Sequence, residues 1–146
     1  MRIAPLLFGL CAVAVTCVCV PAAAARELQR FESPATRAAL VELYTSEGCS
    51  SCPPADAWLS GLAADPRLWH SLVPVAFHVD YWDALGWPDR LATAGFSARQ
   101  RRHVARGHVQ QVYTPGFVVA GREWRGWFSG EALAPVAPPA GVLRAA

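Results

Sequence analysis

Residues 41–56, VELYTSEGCSSCPPAD, decide the fold, because an apolar run leads directly into two cysteines and two prolines. Residues 39–45 predict a β-strand, since Leu43 and its odd-numbered neighbours alternate with Glu42 and Tyr44. The cysteines follow at the end of this strand with the spacing C-x-x-C. The stretch therefore predicts a strand that brings a cysteine pair to one edge of a sheet.

A helix and a second strand follow the cysteines. Apolar residues spaced i, i+3, i+4, i+7 and i+8 form one stripe on a helix that Asp65-Pro66 ends, namely Ala55, Trp58, Leu59, Leu62 and Ala63. Residues 72–79 alternate again and predict a second strand. Because the connection contains a helix, the two strands are expected to be parallel in a right-handed βαβ unit.

The second half of the chain predicts one more helix and a hairpin. An aromatic loop, DYWDALGWPD, occupies residues 80–89, and Ser97 opens a capping box for a helix that reaches about Gly107. A hairpin then closes the pattern, with strands at 117–120 and 123–128 and a turn at Gly121-Arg122. Trp124 and Trp127 are expected in the core or on the sheet face.

Four motifs carry a family resemblance. VELYTSEGCSSC (41–52) is similar to the first strand and active-site loop of glutaredoxins and thioredoxins, and VYTPGFVVAGRE (112–123) to their cis-proline and hairpin. Together with HVDYWDALGWPD (78–89) and FSARQR (96–101), they more closely resemble a bacterial secreted family known as domain of unknown function 1223. The resemblance covers residues 39–130 and implies an α/β, thioredoxin-like fold built from a βαβ unit and a β-hairpin.

The chain departs from that family pattern in two places. Gly116 stands where members tend to have a larger polar residue, often Gln, and it is expected to leave room beside the site. Members also continue past the point where this sequence ends. Pro135, Pro138 and Pro139 forbid the helix that normally closes a thioredoxin domain, so that helix is expected to be missing or broken, with tail 131–146 extended or disordered.

The cysteine pair fits a dithiol exchanger, which needs one thiolate to attack and a second thiol to resolve the mixed disulfide. Cys49 is expected to be exposed and to attack, and Cys52 to lie at the helix start and to be more buried. A helix N-terminus favours the thiolate. Because Pro53 and Pro54 donate no N–H and Glu47 adds negative charge, only a modest lowering of the Cys49 pKa is predicted.

Five further residues are predicted to bind substrate. The resemblance implies that the Thr114-Pro115 bond is cis, lies against the cysteine pair and presents backbone to a substrate chain. The second strand ends at the same sheet edge as the cysteines, an edge that ligands favour. Asp80, Tyr81 and Trp82 are therefore predicted to form a substrate platform, and the alternative is a packed aromatic loop with Asp80 capping the turn.

Glu42 and His78 are candidates for proton transfer. Thioredoxins have a buried acid in the first strand, and a buried Glu42 would carry a raised pKa, whereas a strand-edge Glu is the alternative. His78 is a candidate base, or, in a second interpretation, it joins Cys49 and Cys52 as a ligand for copper or zinc. The leading interpretation includes no cofactor.

The N-terminus has the layout of a secretory signal. A positive start, an apolar stretch and an Ala-x-Ala ending within residues 1–25 predict cleavage after Ala25, with a retained anchor or lipidation as rivals. Cleavage leaves Cys49 and Cys52 as the only cysteines. A lead-in at 26–38 then precedes the thioredoxin-like domain.

Composition argues against one class of partner, nucleic acid. A formal net charge of +2 on 146 residues gives no field that would favour nucleic acid. The expected location is periplasmic or secreted, with no stable membrane span after signal removal. The leading hypothesis is a thiol-disulfide oxidoreductase acting on protein or small-molecule thiols and disulfides. The rivals are a metal-delivery module and an interaction domain whose disulfide stays closed.

Overall fold

A computed structural model describes residues 30–33, 35, 37–134, 142 and 144–145, so the predicted signal segment lies outside the described residues. Six strands are defined at Phe31–Glu32 (β1), Ala39–Thr45 (β2), Leu72–His78 (β3), Gly116–Val119 (β4), Arg122–Glu123 (β5) and Arg144–Ala145 (β6). Four of them form a mixed sheet in the order β3-β2-β4-β5, in which β2 is parallel to β3 and antiparallel to β4. This mixed α/β sheet is compatible with the predicted thioredoxin-like fold.

Two helices cover the central strand from opposite sides. Helix α1 spans Pro53–Gly61 and continues as a 3₁₀ turn over Leu62–Ala64, as the apolar stripe predicted. Its Ala55 packs with Leu43 and Phe117. Helix α2 spans Ala94–Ala105 and packs on the other face, where Val104 contacts the cluster around Tyr44. The alternation of β2 therefore predicted its two faces correctly, and both faces are buried.

Helix α2 begins three residues earlier than the predicted capping box. Thr93 is the N-cap, and its hydroxyl oxygen accepts a hydrogen bond from the Phe96 N–H at 3.3 Å. The predicted cap, Ser97, lies one turn inside the helix and is fully buried. Its hydroxyl donates to the Asp80 carboxylate and accepts from the Asp80 N–H, so Ser97 ties α2 to the loop after β3 instead.

The hairpin is one residue out of the predicted register, and its second strand is short. Ala120 and Gly121 both have positive φ, and they form the kind of two-residue turn whose twist matches that of the flanking strands. Arg122 therefore pairs with Val119. The predicted strand over 123–128 stops at Glu123 and gives way to a 3₁₀ turn over Gly126–Ser129.

Two tryptophans explain why that strand ends early. The rings of Trp124 and Trp127 both pack on Phe117, with centroid distances of 5.7 and 5.5 Å. Residues three apart point to opposite faces of a strand but to the same side of a helical turn. The prediction that both tryptophans lie in the core or on the sheet face is confirmed, since both are partly buried against the core cluster that includes Phe117, and the turn brings them to the same side.

The tail is described only in part. Gly130 ends the last 3₁₀ turn in the left-handed conformation, and no helix follows among the described residues after Ser129. Leu133 packs on the cluster of Val41, Leu62 and Leu72, so the tail covers part of the α1 side of the sheet. Near its end, β6 pairs antiparallel with β1.

Gly116 does not leave room beside the site, contrary to the sequence expectation. A Cβ added there would lie 2.8 Å from the Tyr113 carbonyl oxygen and 3.3 Å from the Gln100 amide nitrogen. Gln100 is buried, and its amide donates to that carbonyl at 2.6 Å. The Tyr113 carbonyl, held by the buried Gln100 side chain, therefore occupies the space that a larger residue at position 116 would need.

We expect Gly116→Ala to lower the free energy of unfolding by about 1–3 kcal/mol, since the new methyl group overlaps backbone that cannot move freely. The matched control is Gly61→Ala in α1, where an added Cβ meets nothing within 4 Å and helix propensity improves. Urea denaturation of both variants measures the difference. Equal stability of the two variants would contradict this packing argument.

Candidate functional site

Cys49 and Cys52 form a disulfide between the end of β2 and the start of α1, with their Cα atoms 5.4 Å apart. Cys52 is the N-cap residue of α1, as predicted, and its carbonyl accepts from the N–H groups of Ala55 and Asp56 at 2.8 and 3.1 Å. The Cys52 N–H donates to the Cys49 carbonyl at 3.1 Å. Local backbone hydrogen bonds thus hold the pair at the helix N-terminus.

Cys49 is buried, which corrects the prediction that it is the exposed member of the pair. Only 1% of Cys49 and 0% of Cys52 is exposed to solvent. The Thr114 hydroxyl donates to Cys49 Sγ at 3.3 Å, and the Ser51 hydroxyl lies 3.5 Å from the same sulfur. Side chains from the loops around the pair therefore surround the sulfur that was expected to face solvent.

The Thr114–Pro115 peptide bond is cis, as the family resemblance implied, and Pro115 is buried. Trp82 lies in a 3₁₀ helix over Asp80–Leu85 that follows β3, and its indole N–H donates to the Thr114 hydroxyl at 2.9 Å. Tyr81 donates to the Gln100 side chain at 3.2 Å. Of the predicted residues, Thr114 thus contacts Cys49 directly, Pro115 follows it in the chain, and Trp82 is hydrogen-bonded to Thr114.

Asp89 anchors the cysteine loop, and sequence reasoning missed it. Its carboxylate accepts from the Glu47 N–H at 2.9 Å and the Leu91 N–H at 2.8 Å, and it lies 2.6 Å from His78 Nδ1. The Asp89 N–H in turn donates to Asp83 at 3.1 Å. One buried carboxylate therefore connects the loop before Cys49, the end of β3 and the loop that precedes α2.

The electrostatics of Asp89 follow from these contacts. Burial alone would raise the pKa of its carboxyl, but hydrogen bonds from the Glu47 N–H, the His78 ring and the Leu91 N–H more than offset this effect. The pKa of Asp89 is therefore lowered from its ordinary value of 3.8. The ionised form is the one that holds the cysteine loop.

His78 is committed to Asp89 through Nδ1, and 19% of its side chain is exposed. Among the described residues, no group of three or more His, Cys, Asp or Glu side chains is arranged to hold a metal ion. The alternative copper or zinc site of Cys49, Cys52 and His78 is therefore not assembled in this conformation. Asp80, the remaining predicted platform residue, binds Ser97 of α2.

Glu42 lies on the α2 face of β2, where Arg99 contacts it, whereas α1, which Cys52 caps, packs on the opposite face. Only 2% of it is exposed, so it is buried in the sheet centre rather than at a strand edge. It accepts two hydrogen bonds from Arg99 at 2.8 and 2.9 Å and one from Tyr44 at 2.7 Å.

The expected rise in the Glu42 pKa is wrong. Burial favours the neutral acid, but the hydrogen bonds from Arg99 and Tyr44, together with the positive charge of Arg99, lower the pKa below its ordinary value of 4.5. Arg99, although its side chain is partly exposed, therefore neutralises a buried carboxylate.

Comparison with known proteins supports the resemblance that the motifs indicated. The model of a family described as "Protein of unknown function (DUF1223)" matches residues 40–137. The chain belongs to the DUF1223 family. No curated protein matches the chain.

One solved structure is similar to this DUF1223 chain, the X-ray crystal structure of protein AGR_C_4864 from Agrobacterium tumefaciens. It is 40% identical over 56% of the chain, with a TM-score of 0.49. The match spans 35% of that protein's length. Within the described part of the DUF1223 chain, no helix is both long enough and apolar enough to cross a bilayer.

Replacing Asp89 should make the fold less stable and less sensitive to acid. Because its pKa is lower in the folded protein, Asp89 stabilises the fold above its ordinary pKa of 3.8, and this contribution is lost as pH falls through the lower folded value. We expect Asp89→Asn to cost about 1.5–3 kcal/mol at neutral pH. In the variant, the free energy of unfolding should also change less with pH below about pH 4.

Urea titrations at a series of pH values measure this effect. Glu32→Gln, which changes an exposed carboxylate on β1, is the matched control. In this variant the free energy of unfolding should depend on pH as it does in the wild type. An Asp89→Asn curve that runs parallel to wild type through the acid range would show that Asp89 does not anchor the loop as an ion.

Proposed function

We propose that this protein is an exported thiol-disulfide oxidoreductase whose redox centre is the Cys49–Cys52 pair. The observation that carries the proposal is the placement of the pair at disulfide distance on a helix N-terminus, with a cis-proline segment hydrogen-bonded to Cys49 Sγ. A helix N-terminus favours the thiolate needed for exchange. The partners would be thiols or disulfides of proteins or small molecules.

The exchange would run in two steps. In the reduced protein, the Cys49 thiolate attacks one sulfur of a partner disulfide, forms a mixed disulfide and releases the other partner sulfur as a thiolate, which takes a proton from water. Cys52 then loses its proton to water, attacks Cys49 Sγ and releases the second partner thiolate. Two electrons pass from the cysteine pair to the partner. The reverse sequence oxidises a partner dithiol.

Burial sets a condition on this chemistry. With 1% of Cys49 exposed, a partner sulfur cannot make an in-line approach unless the loops around the pair move. Trp82, in the 3₁₀ helix after β3, and Thr114, in the loop before β4, are bonded to each other beside the pair, so their displacement would open it. Export is proposed from the signal-like residues 1–25 and agrees with a cysteine pair kept oxidised outside the cytoplasm.

The same burial favours a second candidate, an interaction domain whose disulfide stays closed. Burial shelters the sulfurs from attacking thiolates and slows exchange, and a structural disulfide also resists reduction at equilibrium because its reduction potential is low. The two candidates differ in a measurable quantity, the reduction potential of the pair.

We expect the Cys49–Cys52 pair to equilibrate with glutathione or dithiothreitol buffers at a potential between about −270 and −120 mV. Alkylation followed by mass spectrometry measures the reduced fraction, and Cys52→Ser should trap a mixed disulfide on Cys49 that Cys49→Ser does not form. A potential below about −300 mV, with no mixed disulfide in Cys52→Ser, would identify the static domain instead.

A further inference from the structure

We propose that Trp82 is a positioning residue for the exchange reaction: its indole N–H fixes the Thr114 hydroxyl so that the hydroxyl proton points at Cys49 Sγ and stabilises the thiolate. This inference rests on the proposed function above and names the residue that prepares its attacking sulfur. Trp82 does not itself touch the reacting atoms. It acts through Thr114.

The direction of the two hydrogen bonds follows from the donor inventory. An indole N–H donates and never accepts, so at 2.9 Å the Thr114 oxygen must be the acceptor from Trp82. A hydroxyl has one proton, and the Thr114 oxygen lies 3.3 Å from Cys49 Sγ. Neither a disulfide sulfur nor a thiolate carries a proton, so in this contact the hydroxyl is the donor and Cys49 Sγ the acceptor.

One other acceptor competes for that proton. Burial raises the pKa of Tyr81, and hydrogen bonding with Thr114 and Gln100 opposes the rise, so the Tyr81 phenol also lies beside the Thr114 hydroxyl. The phenol is neutral, however, and it donates its own proton to Gln100. A thiolate is the stronger acceptor, because hydrogen bonds to charged groups are about twice as strong as neutral ones. The Thr114 proton therefore goes to Cys49 when Cys49 is ionised.

The effect is specific to one redox state. A disulfide sulfur is a weak acceptor, whereas the buried Cys49 thiolate has little water to stabilise it. A donor held in place by Trp82 therefore favours the reduced, ionised pair over the oxidised one. The Ser51 hydroxyl, 3.5 Å from the same sulfur, belongs to an exposed residue and lacks such a fixed orientation.

The test compares four variants of the full chain in which the cysteines at positions 11, 17 and 19 are replaced by Ser: Trp82→Phe, Thr114→Val, Thr114→Ser and the double variant Trp82→Phe/Thr114→Val. Each is reduced with a phosphine and alkylated with iodoacetamide across a pH series. Tandem mass spectrometry locates the label on Cys49. The charged and titratable groups near the site, which include Glu47, His78 and Asp89, are the same in every variant and cancel in the comparison.

We expect Trp82→Phe and Thr114→Val each to raise the midpoint pH of Cys49 alkylation by about 0.5–1 unit. Thr114→Ser, which keeps the hydroxyl, should match wild type. The double variant should shift no further than Thr114→Val alone, because Trp82 has no effect once the hydroxyl is gone.

Two results would overturn the proposal. One is a wild-type midpoint in Trp82→Phe. The other is a double variant that shifts by the sum of the single shifts, because Trp82 would then act by covering the sulfur. Alkylation of the reduced protein does not require exchange with a partner. A failed exchange function would therefore show only as a potential below about −300 mV, with the alkylation pattern intact.

Discussion

The cysteine loop depends on one buried carboxylate, that of Asp89. Strands β2 and β3 are parallel neighbours with Thr45 opposite His78, so both strands deliver their next residues to the same sheet edge. Strand pairing ends one residue further on, where the Val79 N–H donates to the Thr45 carbonyl at 2.9 Å, and the loop before Cys49 has a backbone turn of its own, in which the Cys49 N–H donates to the Ser46 carbonyl at 3.1 Å. A side chain from elsewhere in the protein fixes this loop in place. Asp89 does this from 42 residues away by accepting the Glu47 N–H, and the exposed Trp87 adds a bond from its indole to the Glu47 carboxylate. The ionised form of Asp89 is stabilised by three hydrogen-bond donors, which makes the anchor directional as well as strong.

The central strand places a charged network on the face opposite α1. Glu42 is buried in β2, and Arg99 of α2 meets it with a two-point contact while the Arg99 side chain keeps 36% of its surface in solvent. A buried carboxylate paired in this way is stabilised as an ion. Proton relay through Glu42 would need the carboxyl to give and take a proton near neutral pH, and a lowered pKa works against that. The placement of Glu42 therefore favours a structural ion pair that docks α2 on the sheet.

The sequence predicted the parts of the fold that depend on short-range pattern. The alternation in β2, the helical stripe of α1 and the parallel βαβ unit follow from periodicity, and the structure has all three. The helix start at Thr93 and the early end of β5 could not be predicted in the same way, since both depend on tertiary partners of Ser97 and Trp127. At the site, the C-x-x-C spacing indicated both cysteines, and the family resemblance implied the cis-proline segment. Asp89 had no signal of its own beyond its place in an aromatic loop.

The burial of Cys49, rather than the position of the cysteines on the helix, shapes the chemistry of this site. Removing a thiolate from water penalises the ion, while the helix N-terminus and the Thr114 hydroxyl favour it. Pro53 and Pro54 supply no N–H at the first turn, so the helix offers fewer donors than a proline-free start would. Donors from outside the helix therefore carry a larger share of the stabilisation. In this chain the cis-proline loop and the 3₁₀ helix after β3 meet at the Thr114 hydroxyl, and in the proposed exchange reaction that contact would connect the reactivity of Cys49 to the position of Trp82.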